Sequence, residues 1–327
     1  MMSLMLAALL GVAAPAEVDM PRAQATAVSP QISAPAPDTD APARLEDIEV
    51  IGRPLEQMIR NYVREVAKPV YGRNLARWDD PICVGVANLQ AEAAQYIADR
   101  VSTVADDLGL RTGQPGCSPN VLIVATDKPS EVAAAMIDRT PRAFRTGASG
   151  MDHGRSALNA FRTSEKPVRW WTVSVPVDSE TGERAVRLPG ECRNMCTETI
   201  DFAPVVMVDS VSMMRTQIVD NLNRVVVVVD ANQVAEVSAL QLADYIAMIS
   251  LAQIDPNADT GGYSSILNIF DYPSDAASLT DWDLAYLKGL YSAERNRRNV
   301  GSNRLEVAST IRRAHADIRR AQDNEED

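Results

Sequence analysis

Arg224-Val-Val-Val-Val-Val-Asp230 decides the fold. Five successive Val residues with no polar alternation describe a strand buried on both faces, and such a strand belongs inside a sheet covered by helices. Working outward, residues 237–252 keep apolar positions at helical spacing, so a helix is expected directly after the strand. Upstream, Ile82-Cys-Val-Gly-Val-Ala and Asn120-Val-Leu-Ile-Val-Ala read as two further strands. A helix over 90–108 separates them, with Ala93, Ile97, Val101 and Val104 along one face. Residues 55–67 form another helix, on the spacing of Leu55, Met58, Ile59, Tyr62 and Val63. Ser130 is expected to cap a helix running to about Asp138. The alternation of strand and helix predicts an α/β (α+β) fold with a mixed sheet and packed helices.

The remaining segments are less regular. Residues 48–51 have the composition of a short strand, and 146–154, with three glycines, that of a loop. Val168-Arg-Trp-Trp-Thr-Val-Ser-Val-Pro alternates as a strand, so Trp170 and Trp171 are expected on opposite faces, one inward and one outward, the latter able to meet a peptide or sugar. Residues 205–209 suggest a further strand. Near the C-terminus, helices are expected at 280–291 and 303–322, the second with Leu305, Ala308, Ile311 and Ile318 on one face and Arg312, Arg313, Arg319 and Arg320 on the other.

Composition bounds the function. The chain has 327 residues, 46% hydrophobic and 5% aromatic, with a formal net charge of -12. An acidic chain repels phosphate backbones, which argues against nucleic acid as the main partner. Residues 1–16 are apolar and end in Ala14-Pro15-Ala16, a small-x-small cleavage pattern, although no Lys or Arg precedes them. They are expected to be a signal peptide, and 17–44, rich in Ala and Pro, a disordered linker. No other stretch approaches the ~20 apolar residues of a membrane span. The expected location is periplasmic or secreted. Cysteine usage fits that destination. Four cysteines allow three pairings, of which Cys83–Cys117 and Cys192–Cys196 are favoured, the first tying together the starts of neighbouring strands. Metal binding is the rival, but C-x3-C with no nearby His is a poor zinc pattern.

From Arg224 onward the order of features resembles the catalytic half of metzincin-type zinc metallopeptidases, the matrixin-like ones especially. A Val-rich strand leads to a helix, then a loop, then the turn Ser265-Ile-Leu-Asn, then Leu279-Thr-Asp-Trp-Asp-Leu-Ala-Tyr-Leu-Lys-Gly-Leu-Tyr291. That family carries H-E-x-x-H-x-x-G-x-x-H on the helix and a Met in the turn. Here the corresponding helix positions hold Ala243, Asp244, Ala247, Ser250 and Gln253, and Leu267 stands at the Met position. The resemblance spans roughly 224–292 and implies a zincin-like domain over 45–292, followed by a charged helix and acidic tail over 293–327. It implies a cleft along Ala243, Asp244, Ala247, Gln253 and Leu267. Catalytic zinc needs three protein ligands and an open position, and methyl groups donate no electron pair. The chain has two His, His153 and His315, in unrelated segments. The expectation is therefore a catalytically dead domain with no cofactor, binding a peptide or protein partner in the cell envelope.

Other candidates are weaker. Asp244 in the cleft, and Asp230 at the end of the central strand, are the acids on which an envelope hydrolase would rest; each has a structural reading as a helix or turn residue. His153, beside Ser149 and Asp152, lies too close in sequence for a triad, whose members come from distant segments. No G-x-S-x-G elbow, P-loop or dinucleotide fingerprint occurs. A structural envelope component is the third alternative.

Overall fold

The computed structural model describes residues 55–70, 72–144, 153–192, 202–207 and 213–325. The expected signal peptide, linker and strand at 48–51, most of the 146–154 loop, and Cys196 lie outside them. Among the described residues are eight α-helices and a four-stranded mixed sheet. The strands are β1 (Val84–Ala87), β2 (Val121–Thr126), β3 (Val168–Asp178) and β6 (Ile218–Asp230), arranged β1-β2-β6-β3. β4 (Val186–Cys192) and β5 (Phe202–Val205) form a separate antiparallel ladder. β1, β2 and β6 run parallel, and β3 closes one edge antiparallel to β6.

The Val run explains the interior place of β6. Val225, Val227 and Val229 point into one apolar cluster, Val226 and Val228 into another. The first face is covered by α2 (Ala91–Asp107) and α6 (Ala239–Leu251), with α1 (Leu55–Val66), α7 (Asp281–Ser292) and α8 (Val300–Glu325) completing that side. The second face is covered by α3 (Pro129–Arg139), α4 (Pro141–Phe144) and α5 (Gly154–Thr163). Because both faces are covered, Trp170 and Trp171 are both buried, at 6% and 3% exposure. The expected outward Trp is thus corrected: Trp170 packs edge-on to Tyr245 and donates to Ile254 O, and Trp171 packs near Phe161 and donates to Phe144 O.

Local signals set the helix ends. Ser238 accepts from Gln241 N while the Gln241 side chain accepts from Ser238 N, and Thr280 and Asp283 close α7 in the same way. At α3 the expectation fails. Pro129 occupies the first turn, Lys128 is the cap residue, and Ser130 instead accepts a hydrogen bond from Arg169. α8 buries Ala308 and Ile311 and packs Ile318 on the core as expected, with one departure, Leu305. Its buried stripe is Asn303, Val307, Ala308, Thr310 and Ile311, whereas Leu305 is 57% exposed. Two polar residues join the stripe, Asn303 donating to Glu294 O and Thr310 to Gly289 O.

Cys83 and Cys117 are joined, with Cα atoms 6.1 Å apart. The bond ties the start of β1 to the loop before β2. Asn120 reinforces the same corner, accepting from Cys83 N and donating to Pro81 O. Among the described residues no helix is long and apolar enough to cross a membrane.

Candidate functional site

α6 follows β6, and the positions to which the metzincin resemblance assigns the metal lie on it (Ala243 and Ala247) and just after it (Gln253). Ala243, Asp244 and Ala247 have no exposed surface, and Gln253 is 2% exposed. Asp244 is held bidentately by Arg100, with Nε to Oδ1 at 2.5 Å and Nη2 to Oδ2 at 3.2 Å, and Oδ2 also accepts from Leu279 N at 2.8 Å. The hydrogen bond to Asp244 raises the Arg100 pKa against the opposing pull of burial. Asp244 thereby fastens α2 and the entry to α7 onto α6. Gln253 Oε1 accepts from Ala76 N. This donor set does not fit zinc: two methyl groups, an amide oxygen already engaged and a carboxylate locked to an arginine. No group of His, Cys, Asp and Glu suited to a metal occurs among the described residues.

Asp230, 7% exposed, accepts from Asn232 N and Gln233 Nε2 and so shapes the turn after β6. It and Asp244 are not brought together on an open surface. Leu267 sits in the 3-10 turn Ile266–Asn268, and the neighbouring Asp283 accepts from Ser265 Oγ, Ile266 N and Thr280 N. Burial lifts the Asp283 pKa against the pull of those hydrogen bonds.

The open surface lies elsewhere, along the outer edge of β3. A hollow of about 400 Å³ is walled by α5, by Val168–Thr172 and by residues 254–257. A second, of about 510 Å³, adjoins it; the two share Lys166, Val168, Trp170 and Ile254, and the second reaches Tyr245, Leu267 and Phe270. Of the residues expected in a cleft, Leu267 alone lines this groove. His153 stands at one end, its Nε2 3.3 Å from Thr172 Oγ1 and its ring edge-on to Trp171. Ser149 and Asp152 lie outside the described residues. Lys68 is paired with Asp255, and Lys166 donates to Pro256 O.

The register fixes what β3 offers to the groove. Asp230 N donates to Pro167 O, and residues facing the partner alternate along an antiparallel pair, so Pro167, Arg169, Trp171 and Val173 turn their backbone groups to β6. Val168, Trp170 and Thr172 turn theirs outward. Their N–H and C=O groups make no backbone hydrogen bond within the described structure. Farther along, the same edge is occupied: Ala185 N donates to Pro176 O, and Asp178 N to Glu183 O. The unpaired backbone of Val168, Trp170 and Thr172 borders the groove, although these residues are themselves buried. Sequence reasoning missed it because its walls come from three distant segments. One signal was present, the charged Arg169 between the apolar Val168 and Trp170.

Compared with known proteins, the chain matches no family model, no curated protein and no solved structure.

Proposed function

We propose that the chain is an exported, non-catalytic, zincin-like module of the cell envelope that binds an extended peptide along β3. The observation that carries this reading is the outward backbone of Val168, Trp170 and Thr172, facing a groove and without backbone partners. A free strand edge is a template for another extended chain: main-chain hydrogen bonds supply affinity, and pockets for alternate side chains supply selectivity. The order β6, α6, 3-10 turn and α7 supports the zincin-like part of the reading, since it follows the sequence order on which the resemblance rests. The non-catalytic part is supported by what stands at the metal positions, groups that cannot ligate zinc. Export is supported by the Cys83–Cys117 bond.

A pool of extended eight-residue peptides, incubated with the purified chain, tests this. Binding is expected to slow amide exchange at Val168, Trp170 and Thr172. Arg169 and Trp171, whose amides already face β6, are expected to change little. Backbone N-methylation of the peptides is expected to remove binding, and the peptides should be recovered intact by mass spectrometry. Saturation without protection of those three amides, or no binding up to ~1 mM peptide, would overturn the proposal. Cleaved peptides would reopen the peptidase alternative.

A further inference from the structure

Three arginines of this chain invite comparison. Arg73 and Arg100 each use the Nε/Nη2 edge of the guanidinium to grip a carboxylate, Asp220 and Asp244 respectively. Arg169 lines the groove, is 3% exposed, and leaves that same edge unused. Its Nη1 donates to Ser130 Oγ at 3.1 Å, Arg162 O at 3.1 Å and Phe161 O at 3.4 Å, which fixes the plane of the group. Its Nε is buried without a hydrogen-bond partner. Within the described structure its Nη2 donates to nothing either, and no carboxylate lies within ion-pair distance. Asp230, the acid whose field it feels, is engaged by Asn232 and Gln233.

A buried guanidinium without a counter-ion is costly, and buried charges are ordinarily paired. Burial accordingly pulls the Arg169 pKa down, with Asp230 opposing. The three acceptors on Nη1 hold the side chain in place without neutralising it. What they leave is a pre-oriented two-donor edge of the geometry that a carboxylate accepts bidentately.

We infer that Arg169 is the carboxylate receptor of the groove: a ligand lying along β3 sets a carboxylate, from a peptide C-terminus or an Asp or Glu side chain, against Nε and Nη2. This rests on the peptide-binding reading above and adds the chemical class that the groove selects.

The test uses the purified chain, ¹⁵N-labelled at arginine, with the Arg169 Nε–H resonance assigned by its loss in Arg169→Lys. Three pools of eight-residue peptides are titrated: C-terminal acids and C-terminal amides, both free of Asp and Glu, and amides carrying one Glu. Propionate serves as a fourth probe. The expected result is that at least one carboxylate-bearing pool shifts the Arg169 resonance and binds ~10-fold or more tightly than the plain amides. The pool that does so identifies the source of the carboxylate. Arg169→Lys keeps the charge but removes the two-donor edge, so it is expected to erase the preference for carboxylate-bearing pools over plain amides. If all three pools bind wild type equally, the carboxylate inference fails and the groove reading stands, a comparison that does not depend on any variant folding. If no pool binds, the groove reading fails; a propionate-induced shift of Arg169 would then still support the receptor, and no shift would end both.

Discussion

Arg100 reaches Asp244 from α2 across to α6, and the pair replaces what would otherwise be a charged gap between two helices. Asp244 has no exposed surface, while the Arg100 side chain keeps 29%. Removing one partner of such a pair leaves the other charge buried without compensation. Arg100→Leu is therefore expected to lower unfolding free energy by about 3 kcal/mol, read by urea titration. Asp244→Asn should cost less, because the amide oxygen can still accept from Leu279 N. Equal stability of Arg100→Leu and wild type would show that Asp244 is satisfied some other way. The contrast with Arg169 is instructive. The same side-chain chemistry serves architecture where a carboxylate is built into the neighbouring helix, and is left available where none is. From sequence, Asp244 stood out through its place in a motif; its true partner, 144 residues away, carried no local mark.

At the scale of elements, the crossing of α7 and α8 depends on a missing side chain. A Cβ on Gly289 would come within 2.5 Å of Ile311 N, and Gly289 O accepts from Thr310 Oγ1 at 2.7 Å. Gly289→Ala should gain ~1 kcal/mol in helix propensity yet lose more from overpacking. The expected net is a destabilisation of about 1–2 kcal/mol, visible as a lower urea midpoint with unchanged slope. A variant more stable than wild type would mean that the two helices can part without loss. Elements whose own residues specify them were readable in sequence: the Val run of β6 and the Ile97, Val101 and Val104 stripe of α2. Elements defined by contact were not. α5 has Phe161 as its buried residue and takes its place from Trp171 and Phe144, which the chain brings to it only on folding. α8 was found with most of its face, Ala308, Ile311 and Ile318; Leu305 is exposed, and the polar Asn303 and Thr310 are buried in the stripe instead.

Across the whole molecule, the sheet order β1-β2-β6-β3 gives the two edges different tasks. The β1 edge is braced covalently through Cys83–Cys117, and the β3 edge is left partly open beside the groove. The expected cysteine framework was legible for this first pair because Cys83 directly precedes β1 and Cys117 lies in the turn before β2. The groove was not, since residues 153–164, 166–172 and 254–257 meet only once the sheet has formed. The separation of bond and groove makes a prediction. The bond closes a loop with a sequence separation of 34. Replacing both cysteines by serine should release loop entropy to the unfolded chain and cost about 3–4 kcal/mol in urea titration, and reduction of the wild-type protein should reproduce most of that loss. Because β2 and β6 lie between the bond and β3, peptide affinity in the groove should stay within ~2-fold of wild type under conditions where the variant remains folded. A large loss of affinity in that folded variant would mean that the two edges are coupled through the sheet, and that the disulfide shapes the groove as well as holding the domain together.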